Sequence, residues 1–188
     1  MSRLAVVAIG LTLLGAAHAV PTPQASPPPR VCVSPQFRQF DFWVGRWDVF
    51  DTRTGAMAGH SLVERLYDGC VIRENWSEPG FSGGSLNHYS PLDGRWRQTW
   101  ADSQGAWREF VGGMDGRRMV LVWRTRAPHG KPGAAWVRMT FTPNPDGTVR
   151  QYSDLSADGG RSWSFRYDYT YRPVRPGARS VRQPGEPR

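Results

Sequence analysis

The sequence predicts an all-β domain, an antiparallel up-and-down meander of about ten strands closed into a barrel. Three observations predict it. The stretch from about residue 40 to 172 is dense in Trp, Tyr, Val and Phe. Turn signals built from Gly, Pro, Asp and Asn recur about every ten residues. Several segments alternate with a period of two, which gives a strand one buried and one wetted face. A meander that long curls until its first and last strands meet, because closure removes two unpaired edges. A two-sheet sandwich is the competing architecture. A propeller needs a longer chain.

The elements follow in order. Pro35–Phe40 suggests one helical turn. Phe42–Thr52 is the first strand, closed by Arg53-Thr54-Gly55. Met57–Tyr67 is the second, and Asp68-Gly69 predicts a two-residue hairpin turn. Cys70–Glu78 is the third, followed by a Gly-rich loop from Pro79 to Gly84. Ser85–Ser90 is the fourth, turned by Pro91-Leu92-Asp93-Gly94. Arg95–Asp102, Ala106–Gly113 and Arg118–Thr125 are the next three. A Pro/Gly loop spans Arg126–Gly133. Ala135–Thr142, Thr148–Leu155 and Ser162–Arg172 complete the set. The alternation puts Trp96, Gln98 and Trp100 on one face of their strand. Val137, Met139 and Phe141 share a face, as do Phe165, Tyr167, Tyr169 and Tyr171.

The flanks differ in composition. Residues 1–19 read as a secretory signal peptide: one positive charge in Met1–Arg3, an apolar run of about 14 residues, and the small-x-small sequence Ala17-His18-Ala19. That run is short of the ~20 residues needed to span a bilayer. Residues 20–31 form a Pro-rich, extended linker, residues 32–172 the barrel domain, and residues 173–188 a basic, disordered tail. The expected location is therefore periplasmic or secreted, with no membrane span.

Export shapes the reading of charge and cysteine. The formal charge is +8, yet of 24 basic residues only Lys131 is a lysine. The tail holds four arginines against one glutamate, so the domain itself is mildly basic, and nucleic acid is not an expected partner. Cys32 and Cys70 are an even pair in an oxidising compartment, which predicts a disulfide. Their spacing is poor for metal ligation, and no metal or cofactor is implied.

The most specific local signal is Phe40-Asp41-Phe42-Trp43-Val44-Gly45-Arg46-Trp47. Gly45-x-Trp47 at the opening of the first strand resembles the Gly-x-Trp motif of lipocalin-like, calycin-type barrels. In that family the Trp closes the barrel base and an Arg of the last strand packs over it. The resemblance therefore implies structural roles for Gly45, Trp47 and Arg172. The opening also resembles an uncharacterised family of bacterial proteins, a domain of unknown function. Asp68-Gly69-Cys70 with Glu74, Ser85-Leu86-Asn87-x-Tyr89, Trp96-x-Gln98-x-Trp100-x-Asp102 and Ser156-x-Asp158-Gly159-Gly160-x-Ser162-Trp163 are similar to it too. This family brings no activity to carry over. The last of these stretches also fits the Asp-box of sialidase-type propellers, where it shapes a hairpin.

The strand faces supply the candidate site. Glu74 and Trp76 share a face of the third strand, Ser85, Asn87 and Tyr89 of the fourth, and Trp96, Gln98 and Trp100 of the fifth. Polar groups set among aromatics suit a small-molecule pocket. Three readings follow: a non-enzymatic binder of a small apolar or amphipathic molecule, which the sequence favours; an enzyme using Glu74 as acid/base with Asn87 and Gln98; or a structural or protein-interaction barrel with a filled interior. A haem-binding barrel would need an axial histidine from His60 or His88. No nucleophile elbow is present, since Phe81-Ser82-Gly83-Gly84-Ser85 does not join a strand to a helix.

Overall fold

A computed structural model of the chain describes residues 31–126 and 134–174. The expected leader, nearly all of the linker, most of the loop after residue 126 and most of the tail lie outside those residues. Ten strands run in order: β1 Gly45–Asp51, β2 Met57–Leu66, β3 Val71–Glu78, β4 Phe81–Ser90, β5 Arg95–Asp102, β6 Trp107–Asp115, β7 Arg118–Arg126, β8 Ala134–Pro143, β9 Val149–Ser156 and β10 Ser164–Pro173. Each pairs antiparallel with the next, and β10 pairs back onto β1, from Trp47 opposite Pro173 to Asp51 opposite Tyr169. The barrel is closed and the sandwich alternative falls.

Four local expectations need correction. The β2–β3 connection is wider than a two-residue turn, because Leu66 pairs with Val71 and four residues lie between them. Tyr67, Asp68 and Gly69 all adopt positive φ there. The β3–β4 turn is only Pro79-Gly80, with Glu78 opposite Phe81. Gly83 and Gly84 lie inside β4, not in a loop. A Cβ on Gly83 would sit 2.6 Å from the Trp100 ring, and one on Gly84 2.6 Å from the Glu74 carbonyl. Glycine here marks close packing across the sheet rather than a chain reversal.

The third correction concerns Phe165. A bulge between Phe165 and Tyr167 shifts the register of β10 against β9. Phe165 therefore faces outward, beside Tyr152 and under the Arg53 guanidinium, while Tyr167, Tyr169 and Tyr171 keep the inward face. The fourth concerns the last strand, which runs through Pro173. The Val174 amide still donates to Arg46 O at 2.9 Å, so the ordered chain exceeds the expected boundary at residue 172.

One end of the barrel is plugged. Two short 3-10 turns, Pro35–Arg38 and Asp41–Trp43, cross it before β1 begins. Phe40 and Trp43 are fully buried there and stack with centroids 4.9 Å apart. Both also meet Phe141, and Phe40 meets Trp96 edge-on. The indole of Trp47 donates to Trp43 O at 2.9 Å, and that of Trp96 to Gln39 Oε1 at 3.0 Å. A Cβ on Gly45 would come within 3.2 Å of the Trp47 ring, so the Gly-x-Trp pair is sterically matched.

The crossing segment is fastened to the barrel. Cys32 and Cys70 form a disulfide with Cα atoms 5.0 Å apart. Arg38 Nη2 donates to both Cys32 O and Gly69 O at 2.7 Å, and Arg65 pairs with Asp41. Arg172 does not join this base. Its guanidinium lies over Phe50, 4.4 Å from the ring centroid, on the outside. Trp47 points inward toward Tyr171. The two residues sit on opposite parities of paired strands, so the same sheet separates them.

The outer face carries paired charges. Arg138 bonds Asp154 and Arg150 bonds Asp168, each through two nitrogens. The hairpin between β9 and β10 is shaped by Asp158. Its carboxylate accepts from the amides of Arg161 and Ser162 and from the hydroxyls of Ser156 and Ser162. The Trp163 ring lies beneath Arg138 at 4.0 Å. The Asp-box stretch is thus a hairpin here too.

Candidate functional site

Among the described residues the other half of the barrel interior is open. A cavity of about 320 Å³ runs inward from the end opposite the plug. Its rim is set by Glu78, Phe81, Asp102, Gln104, Arg108 and Arg166, and its walls by Trp76, Trp100, Phe110, Tyr167 and Tyr169. Glu74, Gln98, Met139, Gln151 and Tyr171 lie deepest. Glu74 is four residues along β3 from Glu78 on the same face, which places it about 13 Å below the rim at the usual strand rise.

The polar floor is one connected network. Glu74 Oε1 accepts from Ser61 Oγ at 3.0 Å, and Oε2 from Ser85 Oγ at 3.2 Å. Asn87 Nδ2 donates to Ser85 Oγ at 2.9 Å and to Ile72 O at 3.0 Å, and Gln98 Nε2 donates to Asn87 Oδ1 at 2.8 Å. The Tyr171 hydroxyl lies 2.7 Å from Gln151 Oε1 and 3.4 Å from Glu74 Oε1. One hydroxyl proton serves the shorter contact. Tyr167 donates to Met139 Sδ at 3.2 Å.

Burial sets the electrostatics. Glu74 is 4 % exposed. Removal from water disfavours its charged form and lifts its pKa to about 7. The hydroxyls of Ser61, Ser85 and Tyr171 oppose that shift without cancelling it. Burial likewise pushes Tyr167 up to about 12 and Tyr171 well above its ordinary value, with the Glu74 charge adding to both. All of these groups are therefore neutral or nearly so at mildly acid pH. At the rim, Arg108 pairs with Asp102 at 3.3 Å, and the Arg166 guanidinium lies 5.7 Å from the Tyr167 ring centroid.

Of the eight residues the sequence nominates, Glu74, Trp76, Gln98 and Trp100 line the cavity. Ser85 and Asn87 stand behind it, spent on the hydrogen bonds just described; Asn87 is fully buried. Tyr89 and Trp96 belong to the plug, where Tyr89 meets Phe37 and Trp96 meets Phe40. Alternation identifies the face a residue shares, not its height along the barrel. Trp96 and Trp100 share a face yet are separated by about 13 Å of strand.

Sequence reasoning missed Ser61, Gln151, Tyr169 and Tyr171 as part of the same site. Their signal was parity: each occupies the inward face of β2, β9 or β10. It identified no strand as neighbour of β3 across the interior. His60 and His88 sit on the outward parity, His60 bonded to Asp48 at 2.8 Å and His88 exposed. Neither reaches the cavity, so neither could act as an axial haem ligand inside it. No protein-family profile matches the chain, and no curated protein matches it.

Proposed function

We propose that the protein is an exported, lipocalin-like barrel that binds a small apolar or amphipathic molecule in this cavity. The observation that carries the reading is an interior closed at one end and open at the other, with aromatic walls leading down to a hydrogen-bonding floor. Ring surface supplies affinity and the few polar groups supply orientation. A cavity of about 320 Å³ suits a compact ligand rather than a long acyl chain. The likeness of the Phe40–Trp47 opening to the calycin-type barrels, and to the uncharacterised bacterial family, supports the same reading. The Cys32–Cys70 disulfide fits an oxidising compartment. Among the described residues no helix is long and apolar enough to cross a membrane.

Native mass spectrometry of the protein purified from its own host tests the binding. A bound organic molecule in stoichiometric amount is expected. Repeated recovery of empty protein, with no quenching of Trp76 and Trp100 fluorescence by a panel of small amphiphiles, overturns it. Export is tested on the same preparation by the mature N-terminus, expected at Val20.

One observation favours a second reading, an enzyme in the same cavity. A buried carboxyl with a pKa near 7 is suited to general acid–base work at neutral pH. Its test is turnover of any ligand identified above, with loss of turnover but retained binding in Glu74→Gln. Asn87 has no part in that chemistry, since its amide is committed to Ile72, Ser85 and Gln98.

A further inference from the structure

We propose that the cavity selects a small organic cation, an amine or quaternary ammonium, with Glu74 as its counter-ion. This rests on the cavity being a binding site and names the class of ligand.

The deep cavity contains one group able to carry charge near neutrality, and that charge is negative. Every partner of Glu74 is neutral: Ser61 on β2, Ser85 on β4 and Tyr171 on β10. Gln98 on β5, Gln151 on β9 and Met139 on β8 complete its surroundings and carry no charge. The charged residues are at the rim, where Arg108 is held by Asp102 and where Glu78 and Arg166 also line the mouth. With Glu74 ionised, the described lining bears one more negative than positive charge. A carboxylate has about four acceptor positions, and the hydroxyls of Ser61 and Ser85 occupy two of them.

The walls suit the complement of that charge. A desolvated ammonium is stabilised by indole and phenol rings, whose quadrupoles stand in for lost water. Trp76 stacks with Tyr169 at 6.0 Å and Tyr169 with Tyr167 at 4.8 Å, which makes one aromatic wall beside the acid. The barrel's own Arg166 already lies against that wall. An anionic ligand would meet Glu74 as a like charge. A neutral ligand supplies no counter-charge, so burial would keep the carboxyl protonated and its charge would add nothing to affinity.

The test uses the mature, disulfide-bonded chain and three probes of equal shape: choline, its uncharged isostere 3,3-dimethylbutanol, and 3,3-dimethylbutanoate. Titration calorimetry in two buffers of different ionisation enthalpy, at pH 6 and pH 8, reads both affinity and proton exchange. Choline is expected to bind at least about ten-fold more tightly than the alcohol at pH 8. Its binding at pH 6 is expected to release close to one proton, as Glu74 ionises against it. Glu74→Gln abolishes the proton release and removes choline's advantage over the alcohol, and Trp76→Leu weakens choline more than the alcohol. Equal affinity for choline and the alcohol, tighter binding of the butanoate, or choline binding without proton release overturns the cation inference and leaves the binding site standing. If none of the three binds, the cation inference fails, and the binding reading is decided separately by the native mass spectrum and the amphiphile panel.

Discussion

The two ends of this barrel are built from the same kinds of residue and behave oppositely. At the plugged end, Phe40, Trp43, Trp96 and Phe141 meet ring on ring and bury completely. At the open end, Trp76, Trp100, Phe110 and Tyr169 surround a void. The strands alternate identically through both halves. The difference comes from the fourteen residues before β1, which cross one mouth and place Phe40 and Trp43 inside it. Among the described residues no such segment enters the other half, and there the acid, amides and hydroxyls of the floor face the cavity. Aromatic density alone therefore does not separate a core from a pocket; what matters is whether another part of the chain fills the space between the rings.

The largest expected effect lies at the plug. Phe40→Ala removes a fully buried ring from a site with no slack, and should cost about 3–5 kcal/mol of stability in urea denaturation. A loss below about 1 kcal/mol would show that the plug is not part of the cooperative core.

Opening the staple comes next. The disulfide spans a sequence separation of 38, and Cys32→Ser combined with Cys70→Ser should lower stability by about 4 kcal/mol on the chain-entropy account. The comparison sharpens if the double variant also admits ligand-sized probes at the plugged end.

Glu74 gives the third effect, and its direction follows from linkage. Its folded pKa of about 7 lies above the ordinary carboxyl value of 4.5. Its contribution is complete below pH 4.5 and is lost as pH rises through 7, amounting to about 3 kcal/mol in total. Unfolding midpoints measured from pH 5 to pH 8 should fall in the native protein. In Glu74→Gln this component should vanish. A steeper fall in the variant than in the native chain would contradict the assignment.

The smallest stability change is expected at Trp100, on the open wall. Trp100→Ala removes a half-buried ring that already borders space, so about 1–2 kcal/mol should be lost. Ligand affinity should nevertheless drop more than for any plug substitution that still folds. If Trp100→Ala instead matches Phe40→Ala in stability, the open half is a core like the other.

The legible and illegible parts of the molecule divide along the same line. Strand parity identified Glu74, Trp76, Gln98 and Trp100 together, because alternation is a local property of the backbone. It could not tell Trp96 from Trp100, which differ only in depth. Glycine misled at Gly83 and Gly84, where the missing side chain serves Trp100 and the Glu74 carbonyl rather than a turn. At Phe165 a bulge inverted the parity that the sequence implied. The Gly45-x-Trp47 motif pointed to the right end of the barrel, but its supposed partner Arg172 lies on the outer surface. The plugging rings come from the preceding segment.

By itself the sequence determined the strands, their order, the closure of the meander into a barrel, most of the inward residues and the pairing of the only two cysteines. Each of these depends on composition and spacing along one stretch of chain, or on there being a single possible partner. Only the tertiary structure decided that one mouth is stoppered, that the described residues leave a cavity at the other, and that the described neighbours of Glu74, drawn from six other strands, are all neutral. Those facts depend on distances across the barrel between residues far apart in sequence, as Tyr171 is 97 positions from Glu74 and Phe141 still further from Phe40. The pKa of a buried acid is set by such neighbours and by the water they exclude, and no local pattern encodes either.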